Sequence, residues 1–447
     1  MFNKVLIANR GEIAVRVIRA CRELGLRTVA VCSEADRTAM HAQIADETIC
    51  IGPAPSKDSY LNIQAVLSAC SVTGAGAVHP GFGFLSENAQ FARTCGRCGI
   101  KFIGPGPDAI ERMGNKAAAK QTMKDSGVPV IPGSDGVLES PEQAKKLANE
   151  MCYPILIKAS AGGGGRGIRR VDREGDLENA FSTAKQEALS FFGDDGVYME
   201  KFIEGPRHVE IQVMADEHGN VVHLGERDCS IQRRNQKVIE ECPSPSPLMT
   251  PELRHKMGMA AVSAARAVDY ANAGTIEFLL DTNGDFYFME MNTRIQVEHP
   301  VTEKVTGIDL VKTQILVAMG HRLPFSQEDI AMRGHAIECR INAENPALGF
   351  RPSPGRLNAL LIPGGPGIRL DTAIYAGYTI PPYYDNMMAK LIAYAPSREE
   401  AIAKMKWALA EFIVDGVDTN VDFQLDIMQD PDFERGSYDI AWLGNRK

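Results

Sequence analysis

The sequence predicts an α/β protein, α+β in parts, with about three domains. Its 447 residues exceed the size of one typical domain, and strand-like and helix-like segments alternate through the N-terminal region. Later segments change first to hairpins and then to a mixed pattern. We therefore expect an N-terminal parallel α/β domain over residues 1–113, a second domain over 114–320 and a C-terminal mixed α/β domain over 333–447.

The first region has the pattern of repeated βαβ units. Strands are expected over residues 4–8, 28–32, 77–78 and 100–103, and an amphipathic helix over 11–24. Such units form a parallel sheet whose ligands lie at the carboxyl ends of the strands. Asn9-Arg10-Gly11-Glu12 and the segment from His79 to Phe84 follow two of these strands. The first turn lacks G-x-G-x-x-G, so a dinucleotide site is not indicated.

The second region begins with helices and continues with strands. Ser140 precedes Pro141 and Gln143 in a helix-start pattern, and Thr250-Pro251 starts another helix. Strands are expected over residues 155–159, 167–171, 196–203 and 221–225, and the alternation over 207–215 predicts a half-buried strand. In the third region a helix is expected over 398–412.

Composition excludes several classes of protein. The 48 Lys and Arg against 57 Asp and Glu give a net charge of −9, which argues against general binding to nucleic acid or to anionic membranes. The apolar run near the start, residues 5–8, is too short for a secretory signal, and no stretch reaches transmembrane length. Ten scattered cysteines are typical of reduced, packed thiols. We expect a cytoplasmic location, in a bacterial cytosol or in an organelle matrix after removal of a transit peptide.

One hairpin carries the clearest signal of a functional site. Asn283-Gly284 favours a two-residue type I′ turn, which places Leu280 opposite Tyr287 and Glu277 opposite Glu290. Apolar neighbours on both faces predict central, buried strands, where two facing carboxylates repel and need a cation between them.

Asn292 completes a set of hard oxygen ligands on the same face of this hairpin. Two carboxylates and an amide oxygen suit Mg²⁺, which keeps its other positions for water and phosphate. The alternative is a solvated hairpin without a metal.

Polar alternation continues beyond the hairpin from Glu290 to Glu298. If this segment stays extended, Asn292, Arg294, Gln296 and Glu298 project into one site. Arg294 then offers a planar cation for an anion, and Glu298 a general base. The alternative is a polar face with internal ion pairs.

Two further segments suggest phosphate chemistry. Residues 161–167 form a glycine-rich loop whose backbone N–H groups suit phosphate, although the loop is not a Walker motif and also fits a mobile linker. Lys158, in the apolar strand before the loop, needs an anion, whereas Lys116 is a weak signal by itself. The basic segment 227–237 fits an anion cradle, a solvated face or an RNA patch, of which RNA ranks lowest.

Together these motifs resemble the ATP-grasp superfamily and, within it, the biotin carboxylases of acetyl-CoA carboxylase. The resemblance runs through essentially the whole chain. It rests on the two lysines, the glycine loop, the acidic hairpin and the segments 7–13, 79–88, 199–203, 207–210, 290–300 and 333–344.

The resemblance implies a Rossmann-like pre-ATP-grasp domain, an ATP-grasp domain with a glycine-rich lid at about residues 131–203, and a C-terminal biotin carboxylase domain. It also implies ATP-dependent carboxylation of biotin, a substrate carried on a separate protein. Bicarbonate attacks the γ-phosphorus to give carboxyphosphate, which breaks down to CO₂ and phosphate. Phosphate then takes the N1′ proton of biotin, and the biotin enolate captures CO₂.

By motif, the resemblance assigns roles residue by residue. The nucleotide is held by Lys116, Lys158, Gly163, Gly164, Gly165, Glu200, Lys201, Ile203, His208, Gln232, Asn235, Glu277 and Glu290. Two Mg²⁺ ions, or Mn²⁺, are held by Glu277, Glu290 and Asn292. Bicarbonate is bound by Lys237, Arg294, Gln296 and Val297 and deprotonated by Glu298, while Arg340 stabilises the enolate. Two positions depart from the family pattern, since Asn235 replaces His near the nucleotide and Phe82 replaces Tyr near biotin.

The implied partners are a biotin carboxyl carrier protein, carboxyltransferase subunits and a second copy of this chain, without nucleic acid or membrane. Because no biotin-accepting Met-Lys-Met sequence is present, we expect the carrier on another chain. The implied process is the first half-reaction of acetyl-CoA carboxylase, which leads to malonyl-CoA and fatty acids. The alternatives are the matching subunit of a pyruvate or other acyl-CoA carboxylase, and a nucleotide-binding scaffold without turnover.

Overall fold

The N-terminal unit is a parallel sheet between helices. The computed structural model describes residues 2–160 and 167–446, so Gly163, Gly164 and Gly165 lie outside the described residues. The elements of this unit are β1 (Lys4–Ile7), α1 (Gly11–Glu23), β2 (Arg27–Cys32), α2 (Met40–Ile44), β3 (Glu47–Cys50), α3 (Ile63–Thr73), β4 (Ala77–His79), α4 (Ala89–Arg97), β5 (Lys101–Phe102) and α5 (Pro107–Gly114).

The predicted parallel sheet is confirmed, with strand order β3-β2-β1-β4-β5. All four strand pairs are parallel. The strand β3 was not anticipated, because it is a short edge strand whose side chains are only partly buried and carry no apolar run. The carboxyl ends of β1 and β4 bring Asn9 against the segment after His79, where the Asn9 amide donates to the carbonyls of Pro80 and Phe82.

The middle region begins with helices and a small three-stranded sheet and then enters a large one. Its elements are α6 (Lys116–Asp125), α7 (Pro141–Met151), β6 (Ile155–Ala159), β7 (Ile168–Val171), α8 (Leu177–Phe192), β8 (Val197–Lys201), β9 (Arg207–Ala215), β10 (Val221–Arg233), β11 (Gln236–Cys242), α9 (Pro251–Arg266), β12 (Asn272–Leu280), β13 (Phe286–Asn292), α10 (His299–Thr306) and α11 (Leu310–Ala318). The helix starts at Ser140 and Thr250 are confirmed, since both side chains cap the following helix.

The C-terminal region adds strands to the same large sheet. Its elements are β14 (His335–Asn342), β15 (Glu344–Asn345), β16 (Arg351–Pro352), β17 (Gly355–Arg356), β18 (Ala359–Leu361), β19 (Ile368–Thr372), β20 (Thr379–Ile380), β21 (Met387–Ala395), α12 (Arg398–Glu411), β22 (Ile413–Asp415), α13 (Val421–Met428), α14 (Pro431–Glu434) and α15 (Trp442–Asn445).

The large sheet runs through two of the predicted domains. Its order is β13-β12-β9-β10-β11-β14-β21-β19, so strands after residue 333 continue a sheet that starts with strands from before residue 320. The pairing of β11 with β14 joins the two parts. The division into domains at residues 320–333 therefore stays a prediction from sequence. The backbone hydrogen bonding of the sheet continues from β11 to β14 across this division.

The strand β9 is buried on both faces, so the prediction of a half-buried strand is wrong. Val209, Ile211 and Val213 pack against α9 in an apolar cluster. On the opposite face His208 and Glu210 are also buried, because neighbouring strands and α10 enclose them. The polar alternation along β9 thus marks an enclosed polar interior and not a solvated surface.

The acidic hairpin keeps its predicted carboxylate pair, although two parts of the prediction are wrong. Leu280 faces Phe286 instead of Tyr287. The Asp281 N–H donates to the Asp285 carbonyl, which closes a three-residue loop over residues 282–284, where only Gly284 adopts positive φ. A β-bulge at Met289 then shifts the register back, so that Glu277 faces Glu290. The strand β13 is also an edge strand and not a central one.

Within residues 2–160 and 167–446, no helix is both long enough and apolar enough to cross a membrane.

Candidate active site

Three carboxylates lie side by side on the strands β9, β12 and β13. Glu277 is the register partner of Glu290 on one side and of Glu210 on the other. Glu210 and Glu277 are buried, whereas Glu290 at the sheet edge is exposed to the cleft. Glu210 was missed as a site residue, although the polar alternation along β9 was a signal for it.

Lys237 supplies a positive charge at the centre of these acids. Its Nζ lies 2.5 Å from Glu210 Oε2, 2.9 Å from Glu277 Oε1 and 2.6 Å from Glu298 Oε1. Burial alone lowers the pKa of Lys237, but the surrounding anions outweigh burial and hold that pKa well above its ordinary value. The cation that the sequence requires beside Glu277 is thus supplied in part by the chain's own Lys237.

Arg227, which was also missed, supports the same cluster from the interior. The fully buried guanidinium donates to Glu210 at 2.6 Å, to Gln212 at 2.7 Å and to Gln296 at 2.5 Å. Burial raises the pKa of Glu210, but Arg227 and Lys237 together lower that pKa to about 2. Glu210 is therefore an anion at neutral pH and anchors both cations.

The segment after β13 does not stay extended, yet its polar side chains meet in one cavity. The strand ends at Asn292, and Glu298 is the N-cap of α10. A cavity of about 790 Å³ is nevertheless lined by Glu290, Asn292, Arg294, Gln296, Val297 and Glu298. The prediction that these polar side chains meet in one site is therefore confirmed, whereas the expectation of an extended backbone after β13 is wrong.

Arg294 is oriented by a residue of the N-terminal unit. Its Nε donates to Glu87 Oε2 at 2.8 Å, and a terminal nitrogen donates to Asn292 Oδ1 at 2.9 Å. Glu87 also accepts from the backbone N–H of Thr293. Sequence reasoning gave Glu87 no role, because only the fold brings it to the hairpin.

Glu298 stands between two cations from neighbouring strands. Lys237 on β11 contacts one carboxylate oxygen, and Arg340 on β14 donates to the other at 3.0 Å. Burial raises the pKa of Glu298, but Lys237, Arg340 and Arg227 outweigh burial and the pKa is lowered. Glu298 is therefore ionised at neutral pH, which is the protonation state that a general base requires.

A second cavity, of about 290 Å³, lies beside the first and is rich in lysine. Lys116, Lys158 and Glu200, which the resemblance assigns to the nucleotide, all line it, together with Lys120, which sequence reasoning missed. Glu200 accepts from Lys158 at 2.5 Å and from Lys120 at 2.9 Å. A concave site lined by several ammonium groups suits a polyphosphate.

Two predicted nucleotide contacts are not brought to either cavity. The Lys201 ammonium donates to the carbonyls of Met151 and Cys152 at the end of α7. Neither Lys201 nor Ile203 lines the lysine-rich cavity or the larger one. Their adenine role stays a prediction.

His208, Gln232 and Asn235 all line the larger cavity. His208 Nε2 lies 3.2 Å from Glu277 Oε2, and the Gln232 amide contacts His208 Nδ1 at 2.8 Å. Arg234 and Asn235 both have positive φ in the two-residue turn between β10 and β11, which asparagine tolerates well. The turn conformation expected at residues 283–284 therefore occurs here.

Phe82 lines a third cavity, of about 570 Å³, with Tyr383 and Tyr384. This cavity shares Arg294, Val297 and Arg340 with the larger one. An aromatic wall beside two cations suits a planar heterocycle with a polar edge.

The acidic hairpin fits a divalent cation. Within the described residues Glu290 has neither a hydrogen bond nor an ion pair, and partial desolvation and the nearby Glu277 raise its pKa. A carboxylate in this position is stabilised by an added cation. Glu277, Glu290 and the Asn292 amide oxygen supply hard ligands for Mg²⁺ or Mn²⁺. This fit supports Glu277, Glu290 and Asn292 as the predicted metal ligands.

We expect that removal of Arg227 destabilises the fold, because the buried Glu210 carboxylate depends on this cation. Arg227→Met leaves a buried carboxylate without that cation, so unfolding free energy should fall by about 3–5 kcal/mol at neutral pH. Without Arg227, burial raises the pKa of Glu210 in the folded variant. Because Glu210 then becomes neutral as pH falls, the loss of unfolding free energy becomes smaller at lower pH. Urea unfolding at several pH values measures it, with the exposed Arg234→Met as control. A loss equal in both variants, or independent of pH, would contradict the prediction.

Comparison with known proteins agrees with this geometry. Family models match the biotin carboxylase N-terminal domain at residues 1–110, the carbamoyl-phosphate synthase L chain ATP-binding domain at 115–326 and the biotin carboxylase C-terminal domain at 338–445. Biotin carboxylase 1 of Bacillus subtilis is 58% identical over 99% of this chain and 98% of that protein. A pyruvate carboxylase subunit from Methanothermobacter thermautotrophicus is 56% identical over 98% of this chain and 88% of that protein.

A solved structure shows the same fold. The biotin carboxylase domain dimer of 2-oxoglutarate carboxylase from Hydrogenobacter thermophilus, in complex with MgADP, ADP and bicarbonate, superposes with a TM-score of 0.91. It is 52% identical, and the match covers 99% of this chain and 97% of that one. These matches over nearly the full length show that the chain belongs to the biotin carboxylase family of ATP-grasp enzymes.

Proposed function

We propose that this enzyme carboxylates biotin on a carrier protein at the expense of ATP. The observation that carries the proposal is the continuity of the three cavities. The lysine-rich cavity shares Leu279, Met289 and Glu290 with the larger one, which in turn shares Arg294, Val297 and Arg340 with the aromatic one. This continuity supports adjoining sites for ATP, bicarbonate and biotin, in the order in which they react.

The first step needs bicarbonate aligned with the γ-phosphate. Lys237 and Arg294 supply positive charge for bicarbonate, and ionised Glu298 accepts its proton. The oxygen freed of that proton attacks the γ-phosphorus, giving carboxyphosphate and ADP. Glu277, Glu290 and Asn292 would hold divalent cations, which would supply neutralisation of phosphate charge. Phosphoryl transfer depends mainly on such neutralisation and alignment.

The second step takes place where the larger and aromatic cavities join. Carboxyphosphate breaks down to CO₂ and phosphate, and phosphate removes the N1′ proton of biotin. Arg340 lies at this junction and stabilises the negative charge that develops on the biotin oxygen. The enolate then forms a bond from N1′ to CO₂.

The role in acetyl-CoA carboxylase, with malonyl-CoA as the later product, is the finer part of the proposal. Pyruvate carboxylase is the alternative, favoured by the similarity to a pyruvate carboxylase subunit. We further propose a homodimer, a separate biotin carboxyl carrier protein, a carboxyltransferase partner and a cytosolic or organelle-matrix location. Affinity purification from the source cell, followed by identification of the biotinylated protein and its transferase, separates these alternatives.

The direct test is ADP release measured with ATP, Mg²⁺, bicarbonate and free biotin. We expect release that requires bicarbonate and that biotin stimulates. Bicarbonate-dependent release without biotin stimulation would contradict biotin as the acceptor. Nucleotide binding without any turnover would favour a scaffold.

Glu290→Gln should lower turnover by weakening the binding of divalent cations. The neutral amide removes a charged ligand, so we expect kcat to fall by about 100-fold and the Mg²⁺ concentration for half-maximal rate to rise. Steady-state rates over a Mg²⁺ series measure both effects. Asp285→Asn, at the exposed start of the same hairpin arm, is the control. An unchanged rate at saturating Mg²⁺ would refute the ligand role.

Arg340→Ala should impair biotin carboxylation more than ATP hydrolysis. The lost cation acts on the enolate, so we expect biotin-dependent turnover to fall by about 100-fold. Bicarbonate-dependent ATP hydrolysis without biotin is the internal comparison, and Arg351→Ala on the exposed strand β16 is the control. Equal losses in the two reactions would point to a folding defect.

A further inference from the structure

A second pair of acids faces across the sheet behind the active site, and the steps described so far leave it without a role. Glu240 on β11 is the register partner of Glu338 on β14. Both side chains are fully buried. Facing carboxylates without solvent cannot both be ionised, so this pair retains at least one proton.

The two acids differ in their contacts. Glu240 Oε1 accepts from Arg340 Nε at 2.6 Å, whereas neither oxygen of Glu338 has a hydrogen-bond partner within the described residues. The contact with Arg340 therefore stabilises Glu240 as an anion. The surroundings of Glu338, which offer its oxygens no hydrogen-bond donor, favour the neutral acid. Burial, the largest influence on both, raises the pKa of Glu240 to about 7 and that of Glu338 well above its ordinary value.

Arg340 connects the pair to the active site. While its Nε is held by Glu240, a terminal nitrogen reaches Glu298 Oε2 at 3.0 Å. The guanidinium is planar, so an anchor at Nε fixes the direction of both terminal nitrogens. Without that anchor, Glu298 is the remaining acid in hydrogen-bond contact with Arg340 among the described residues.

We propose that Glu240 is a positioning residue that aims Arg340 at biotin, and that Glu338 carries the proton that lets Glu240 remain an anion. The inference rests on the proposed function, because it concerns the biotin step of that reaction. Charged and titratable groups that act on the pair come from the neighbouring elements: Cys229 on β10, Lys237 on β11, Arg340 on β14, Lys390 on β21 and Glu298 before α10. Among the residues that the structure describes, Arg340 is the cation that contacts Glu240 directly.

The variants Glu240→Gln and Glu338→Gln test this role. They make the same isosteric change at two facing positions that are equally buried, so each serves as the control for the other. Glu240→Gln should lower kcat/KM for biotin by about 10- to 100-fold, the effect of losing one charged hydrogen bond. ATP hydrolysis without biotin should fall by a smaller factor. Glu338→Gln should stay within about twofold of the unaltered enzyme, since glutamine is neutral like the protonated acid.

The pH dependence gives a second readout. As pH rises through about 7, Glu240 loses its proton and becomes the anion that holds Arg340. The contribution of Glu240 to kcat/KM for biotin therefore increases with pH in this range. Glu338→Gln should keep that increase and Glu240→Gln should lose it.

The outcomes separate this inference from the proposed function. Equal losses in the two glutamine variants, or equal losses of biotin-dependent and biotin-independent turnover in Glu240→Gln, overturn the positioning role. If Glu240→Gln does not fold, Glu240→Asp, which keeps the anion, is compared with Glu240→Ala, and equal biotin kinetics in these two overturn it. Absence of biotin-stimulated ADP release in the unaltered enzyme overturns the proposed function itself.

Discussion

The structure depends on keeping negative charges close together inside a sheet. Glu210, Glu277 and Glu290 occupy adjacent strands, and an uncompensated carboxylate in such surroundings is strongly destabilising. Arg227 and Lys237 meet that requirement at the buried end of the row. At the cleft end, Glu290 has no cation of the chain in contact within the described residues. Along this row, the buried acids are thus neutralised by cations of the chain itself. The acid at the cleft is left suited to bind an exchangeable cation.

The same constraint explains why the polar interior is so fully connected. Three partners of Arg227 are fixed by backbone pairing, since Glu210 and Gln212 lie on β9 and Thr275 lies on β12. A buried polar network is stable only when its members are satisfied, and satisfied members have one geometry. The position of Gln296, which Arg227 also contacts, is therefore set by the sheet although Gln296 itself lies beyond β13. Rigid placement of this kind is what an enzyme needs where charge develops.

Sequence reasoning recovered what is local and lost what is distant. Periodicity and capping located the first parallel strands and the helix starts because neighbouring residues determine both. The pairing of Glu277 with Glu290 was also predicted, but it holds only because two differences from the predicted hairpin cancel. The three-residue loop shifts the strand register by one residue, and the bulge at Met289 shifts it back. Glu210, Arg227 and Glu87 were missed because their roles require knowing that β9 lies beside β12 and that the N-terminal unit packs on the hairpin. No local pattern encodes the spatial order of strands that are not consecutive.

The pairing of β11 with β14 is the step that joins the two halves of the chemistry. Lys237 and Glu240 come from β11, and Arg340 comes from β14, which the sequence divided into a separate domain. Glu298 is thus compensated by one cation from each side of that division. A small rotation between two loosely linked domains would change both contacts, whereas backbone hydrogen bonds across β11 and β14 prevent such a rotation. The proposed proton acceptor for bicarbonate, Glu298, and the proposed cation for biotin, Arg340, are therefore held in one relation across this strand pair. In the proposed reaction, the phosphoryl and carboxyl transfers share that frame.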